Sequence, residues 1–194
     1  MTTPDLVSDP SRIRALAHPL RLALLDLLGD EREVTATRAA EVTGESVASC
    51  SFHLRMLAKY GFAERAEAHG REKPWRATSR HGHSFSPEPG DPGAVQAVGD
   101  VAGLLLTREF ERIRTFLAGA TQESEEWVLA STVARSSFWA TREELADLSD
   151  EVGRLADRFA GRWDDPALRP PDSRPARLLA VVNPEPRTAG TEQE

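Results

Sequence analysis

The chain has 194 residues, 40% of them hydrophobic, enough for one core or for two small ones joined by a linker. Its single cysteine excludes an intrachain disulfide framework and fits a reducing compartment. The formal net charge of −7 argues at first against a polyanionic partner, but the charge is unevenly spread: residues 53–80 carry seven Lys/Arg against three Glu, whereas residues 87–194 carry twelve Arg against twenty Asp/Glu.

No run of 18 apolar residues occurs, so no transmembrane helix is expected. The opening "MTTPDLVSDPSRIR" lacks the charged-then-apolar layout of an export signal, and the expected location is the cytoplasm.

The first 80 residues resolve into short elements. Asp9 and Pro10 in "DPSRIRALAH" suit an N-cap and a first helical position. A second helix begins at Pro19 and ends at Gly29, with Leu20, Leu24, Leu27 and Leu28 as its apolar stripe. "TATRAAEV" forms a short helix capped by Thr35, and "TGE" (43–45) a tight turn. Ser46 then caps a helix running to about Lys59, closed at Gly61. "FAERAEAHGREKPWRAT" (62–78) reads as two strands around a turn at "AHGRE". Helix, tight turn, helix, then a basic hairpin is the order of a winged helix-turn-helix.

The helix after Ser46 has two faces. At about 100° per residue, Cys50, Leu54 and Leu57 fall together as a buried stripe. Ala48, Ser51, Phe52, Arg55 and Lys59 fall on the opposite side. Small residues at the start of a recognition helix let its backbone enter the major groove. Ser46, Ser49 and Ser51 suit base edges or phosphates, and would otherwise serve as caps or solvated hydroxyls. Arg55 suits guanine O6 and N7, or a phosphate, and Lys59 suits a phosphate. Phe52 would lie on a thymine methyl or pack on protein. Thr35 and Thr37 open the preceding helix and would meet phosphate. Arg71, Lys73 and Arg76 on the hairpin would reach the adjacent minor groove or its backbone.

"ALAHPLRLALLDLL", followed by "GESVASCSFHLRMLAKYGFAERAEAHGREKPWRAT", resembles the ArsR-type winged-helix family of bacterial transcription regulators. Ser51, His53, Leu54, Leu57 and Gly61 fall on the family's pattern, Gly70-Arg71 on its wing tip, and Trp75 on the aromatic position of its second wing strand. The likeness spans about residues 12–80. It implies a dimeric regulator, expected to be a repressor, on an inverted-repeat operator in double-stranded DNA. Metal-sensing members carry Cys-x-Cys on the helix before the recognition helix, where this chain has "TATRAAEV". Phe52 stands where the family usually has a polar or basic residue.

Cys50 and His53 are close enough on one helix to share a metal, but a site needs one or two further ligands. His69, His81 and His83 are the only other histidines outside the first helices, and none is placed to meet a core-facing thiol. No metal and no cofactor are expected. A Gly-rich phosphate loop and a nucleophile elbow are both missing from the sequence, so an enzyme is not expected either.

The Pro/Gly-rich "GHSFSPEPGDPG" (82–93) reads as a linker. It separates a DNA-binding domain over 1–81 from a dimerisation or effector domain over 94–183, with a flexible tail at 184–194. In the second domain, residues 94–119 form an amphipathic helix carrying Val98, Val101 and Leu105, then Leu106, Phe110, Ile113 and Leu117. Residues 141–163 form another, opened by the capping box Thr141/Glu144 and striped from Leu145 through Leu148, Val152, Leu155 and Phe159 to Trp163. Residues 136–140 and 176–183 look like strands. The fold class is mainly α with small β, α+β.

Two roles compete for this domain: a dimerisation module, or a small-molecule effector pocket lined by Trp127, Phe138 and Trp139. The rival to a DNA-binding regulator is a winged-helix protein–protein module without a DNA site.

Overall fold

The computed structural model describes residues 5–67, 73–79, 82–87, 90–163 and 165–186. The chain divides at Ser124/Glu125 into two compact units.

The N-terminal unit opens with strand β1 (Asp5–Val7) and helix α1 (Pro10–Leu16). Asp9 caps α1 by accepting from the Ser11 amide at 2.7 Å, with Pro10 in the first turn. Helix α2 (Pro19–Asp30) follows at once, capped by His18, whose Nδ1 accepts from the Leu20 amide at 3.1 Å. Helix α3 (Ala36–Thr43) and helix α4 (Val47–Lys59) are joined through Gly44, whose φ of +73° favours glycine. Thr35 caps α3 and Ser46 caps α4.

The end of α4 is a Schellman motif. Gly61 turns to positive φ, its amide bonds Ala58 O at 3.1 Å, and the Phe62 amide bonds Leu57 O at 2.9 Å. That turn drives Phe62 into the core, where it is fully buried, with the Arg12 guanidinium 5.0 Å from its ring centroid.

Strands β2 (Ala63–Arg65) and β3 (Trp75–Ala77) form the antiparallel hairpin, pairing Ala63 with Ala77 and Arg65 with Trp75. Val34 bridges to Trp75 through two backbone bonds of 2.9 Å, so the segment before α3 widens this small sheet.

Two features of this unit differ from the sequence expectation. Residues within the expected linker form strand β4 (His83–Phe85), which pairs in parallel with β1. Short strands of this kind are made by a distant partner and carry little local signal. Helix α5 (Pro92–Gly119) also belongs to this unit rather than to a second domain beginning at residue 94. It packs on α1, Ala97 and Val101 join the N-terminal core, and Arg108 and Arg112 each place Nη2 2.7 Å from Asp26 Oδ2 on α2. The expected linker therefore lies inside one packed unit; Asp91 caps α5, accepting from the Gly93 amide at 2.8 Å.

Beneath the hairpin, the His83 side chain is almost wholly buried edge-on to Phe62, ring centroids 5.1 Å apart. Neither ring nitrogen has a hydrogen-bond partner among the described residues. Burial lowers its pKa, against the opposing pull of Asp5. A histidine whose folded pKa lies below its unfolded value takes up its proton first in the unfolded chain. Stability is then complete above pH about 6.5 and declines as pH falls through that value. Melting temperatures from pH 8 to 5 should show this decline, and His83→Leu should reduce it. An equal slope in both proteins would show that His83 is not the cause.

The second unit holds helix α6 (Glu125–Leu129), helix α7 (Arg142–Arg154) and two short 3-10 turns, at Asp157–Phe159 and Pro166–Leu168. The capping box forms: Thr141 Oγ1 accepts from the Glu144 amide at 3.2 Å and the Thr141 amide donates to Glu144 Oε2 at 2.8 Å. The expected helix over 141–163 ends early, tightening into the first 3-10 turn; Gly161 beyond it has φ +78°. Residues 136–140 and 176–183 are not strands; among the described residues this unit contains none. Short apolar runs satisfy a strand pattern, but a strand needs a partner for its backbone groups, and here none is supplied. Among the described residues, every buried one lies between Val7 and Val101.

Candidate nucleic-acid interface

The N-terminal unit holds α4 by one face. Cys50, Leu54 and Leu57 are fully buried, as the helical phase requires. Cys50 Sγ lies 3.5 Å from Thr43 Oγ1 at the end of α3. The His53 ring stacks on His18, centroids 4.3 Å apart, which ties α4 to the start of α2. His53 Nδ1 has no partner among the described residues, and burial, then the neighbouring His18 and Arg21, lower its pKa. A neutral imidazole fits this packed, partly cationic corner.

The other face of α4 is open. Ala48, Arg55 and Lys59 are exposed, and Phe52 is 51% exposed with its ring edge-on to His53. Arg55 has no acidic partner among the described residues. Ser46 is exposed, while Ser49 and Ser51 are half-buried. Ser46 already accepts from the Ser49 amide at 3.1 Å, and its O–H remains to donate outward. Thr35 caps in the same way, accepting from the Arg38 amide at 3.1 Å, and Thr37 is exposed in the first turn of α3.

On the hairpin, Lys73 and Arg76 are exposed. Arg76 Nε lies 2.7 Å from Glu64 Oε1 across the strands, both side chains about half exposed. A surface pair of this kind contributes about 0.2–1 kcal/mol, little enough for a phosphate to displace the carboxylate. Arg71 lies outside the described residues, as do His69 and His81.

Two further cations of this unit were not among the expected contacts. Arg38 on α3 is half exposed and bonded to Glu31. The Arg65 guanidinium lies 3.7 Å from the Trp75 ring centroid and donates to Lys73 O, bracing the hairpin. The phase of α3 around buried Ala39 already turns Arg38 outward; Arg65 was legible only as one cation of the basic stretch, and its packing on Trp75 carried no local signal because that partner comes from the other strand.

The suggested effector pocket is not formed. Trp139 is fully exposed and Phe138 is 58% exposed, while the Trp127 ring is covered by Arg174, 4.7 Å from its centroid. Without flanking strands, nothing gathers the three rings.

Cys50→Val should leave the fold and DNA binding nearly unchanged, because a similar apolar volume fills the same site at a cost under about 1.5 kcal/mol. Thermal melts and a metal titration of both proteins check this. A metal response present in the parent and lost in the variant would make Cys50 a ligand.

Residues 16–66 match a helix-turn-helix domain family, a span that takes in α2, α3, α4 and β2. No curated protein matches the chain. The helix-turn-helix supports a DNA-binding regulatory role for the N-terminal unit. Among the described residues, no helix is long and apolar enough to cross a membrane.

Proposed function

Proceeding from that helix-turn-helix, we propose that the chain is a sequence-specific transcription regulator of the ArsR type, a repressor that binds an inverted-repeat operator as a homodimer in the cytoplasm. It acts by binding rather than catalysis, without a metal or cofactor. The observation that carries this reading is the division of α4. One face is fully buried, and the opposite face presents Ala48, Phe52, Arg55 and Lys59. Such a helix enters the major groove with small residues leading and a guanidinium behind them. Lys59, Lys73 and Arg76 supply phosphate contacts that fix its register.

Exposed Phe52 favours one rival, an apolar recognition face for another protein. A titration against genomic fragments at several salt concentrations separates the two. Phosphate contacts make the logarithm of the binding constant fall linearly with the logarithm of salt concentration. A steep fall supports the regulator; absence of binding at low salt supports the protein module.

A further inference from the structure

In the N-terminal unit Arg12 holds Asp5, Arg38 holds Glu31, Arg76 holds Glu64, and Arg108 and Arg112 share Asp26. Arg14 on α1 and Arg21 on α2 hold no carboxylate among the described residues. Both line one cavity of about 240 Å³, with Ser11 and Ala15 of α1 and with Met56 and Tyr60 at the end of α4. Spacings of three and four put Ser11, Arg14 and Ala15 on one face of α1. Met56 and Tyr60 stand one turn apart, the Tyr60 amide bonded to Met56 O at 3.2 Å.

Arg21 is half-buried, and its Nε is buried without a hydrogen-bond partner among the described residues. Burial lowers its pKa, and what opposes this is the Tyr60 phenol rather than a carboxylate. On its other side Arg21 acts on His53, whose pKa it helps to lower, so no anion is offered there either. A guanidinium stays charged all the same, and a buried donor left unmade costs free energy until an acceptor arrives. Arg14 is exposed and its Nη1 lies near Gly93; Asp91, beside that glycine, is occupied as the cap of α5 and makes no ion pair with it. The lining therefore offers two guanidiniums and two hydroxyls, and no carboxylate. Guanidinium forks match phosphate oxygens bidentately, and forks from two helices can grip different edges of a tetrahedral anion. Two permanent cations balance a phosphate dianion, where a carboxylate would balance one. The volume lies below the roughly 300–1,000 Å³ of pockets for drug-sized ligands, so a phosphate with a short attachment fits it.

We propose that this cavity between α1, α2 and the end of α4 binds a phosphate group, held by Arg14 and Arg21 with the hydroxyls of Ser11 and Tyr60. The group has two sources, a free small phosphomonoester or the DNA backbone beside α4. The inference goes beyond the regulator reading, because the free source requires no DNA.

Two measurements on the full chain test it. The first is the melting temperature at pH 8 without DNA, in inorganic phosphate or glycerol 3-phosphate against sodium chloride of equal ionic strength. A bound anion should raise it by about 3–6 °C at ten times its dissociation constant. Phosphate excluded from the protein surface also stabilises, but it does so in every variant alike. Arg14→Gln and Arg21→Gln should therefore lose the specific rise, and Arg135→Gln, which removes an exposed cation of the second unit, should keep it. Arg14 is exposed and unpaired, so its variant folds like the parent and carries the test even if Arg21→Gln is too unstable to melt. The second measurement is DNA affinity across salt concentrations. Where the backbone supplies the phosphate, each of the two variants should lower the salt slope by about one. A rise lost in the variants assigns the site to a free phosphate; no rise, with lowered slopes, assigns it to the DNA backbone. A rise that is absent or equal in parent and variants, together with unchanged slopes, would overturn the proposal. Phosphate binding by a chain that binds no DNA would remove the regulator reading alone.

Discussion

Phe62→Ala is expected to destabilise the protein by about 3–5 kcal/mol, a cost typical of truncating a buried aromatic. Phe62 is fully buried and does three things at one position. Its amide closes the Schellman motif that ends α4, its ring packs against His83, and the Arg12 guanidinium lies 5.0 Å from the ring centroid. Truncation leaves a cavity where α4, the hairpin and the β1–β4 pair converge, and it strands the buried His83 ring beside an empty space. The backbone bond to Leu57 survives in the variant, so the loss reports packing rather than capping. Chemical denaturation measures it directly. A loss below about 1 kcal/mol would mean that the site collapses around the smaller side chain and that this junction is not the centre of the core.

The second large effect falls on binding. Arg55→Ala should cost about 1–3 kcal/mol in specific DNA binding while changing folding stability by no more than about 0.5 kcal/mol. Arg55 is exposed on the face of α4 opposite Cys50, and among the described residues no carboxylate holds it, so its removal costs the fold little. Discrimination at one base pair should relax with it if the guanidinium reads guanine. Lys73→Ala, by contrast, should weaken binding uniformly across sequences and reduce the salt slope by about one. Competition titrations with single-base operator variants separate these outcomes. Unchanged affinity and specificity for Arg55→Ala would remove Arg55 from the interface.

The elements around α4 were legible because their signals are local. Asp9, Thr35 and Ser46 each sit where the following amide needs an acceptor, and Gly44 and Gly61 sit where the chain must adopt positive φ. The buried side of α4 followed from its phase alone. The DNA-facing candidates were legible as residue types on the remaining side, but the work some already do was not. Ser46 and Thr35 act as caps, Arg76 is paired with Glu64, and His53 is stacked on a histidine 35 positions earlier.

The sequence by itself determined where the helices around α4 begin and end and which side of each is apolar, since both depend on neighbouring residues and on a fixed rotation per residue. Only the tertiary structure decided what those apolar sides meet. It brought β4 to β1 across some 80 residues and drew α5 into the N-terminal core through Ala97, Val101 and the Asp26–Arg108–Arg112 cluster. It also left residues 136–140 and 176–183 without strand partners. Pairing and burial are contacts between distant positions, and an apolar run states only that it needs a partner, not which one it will find.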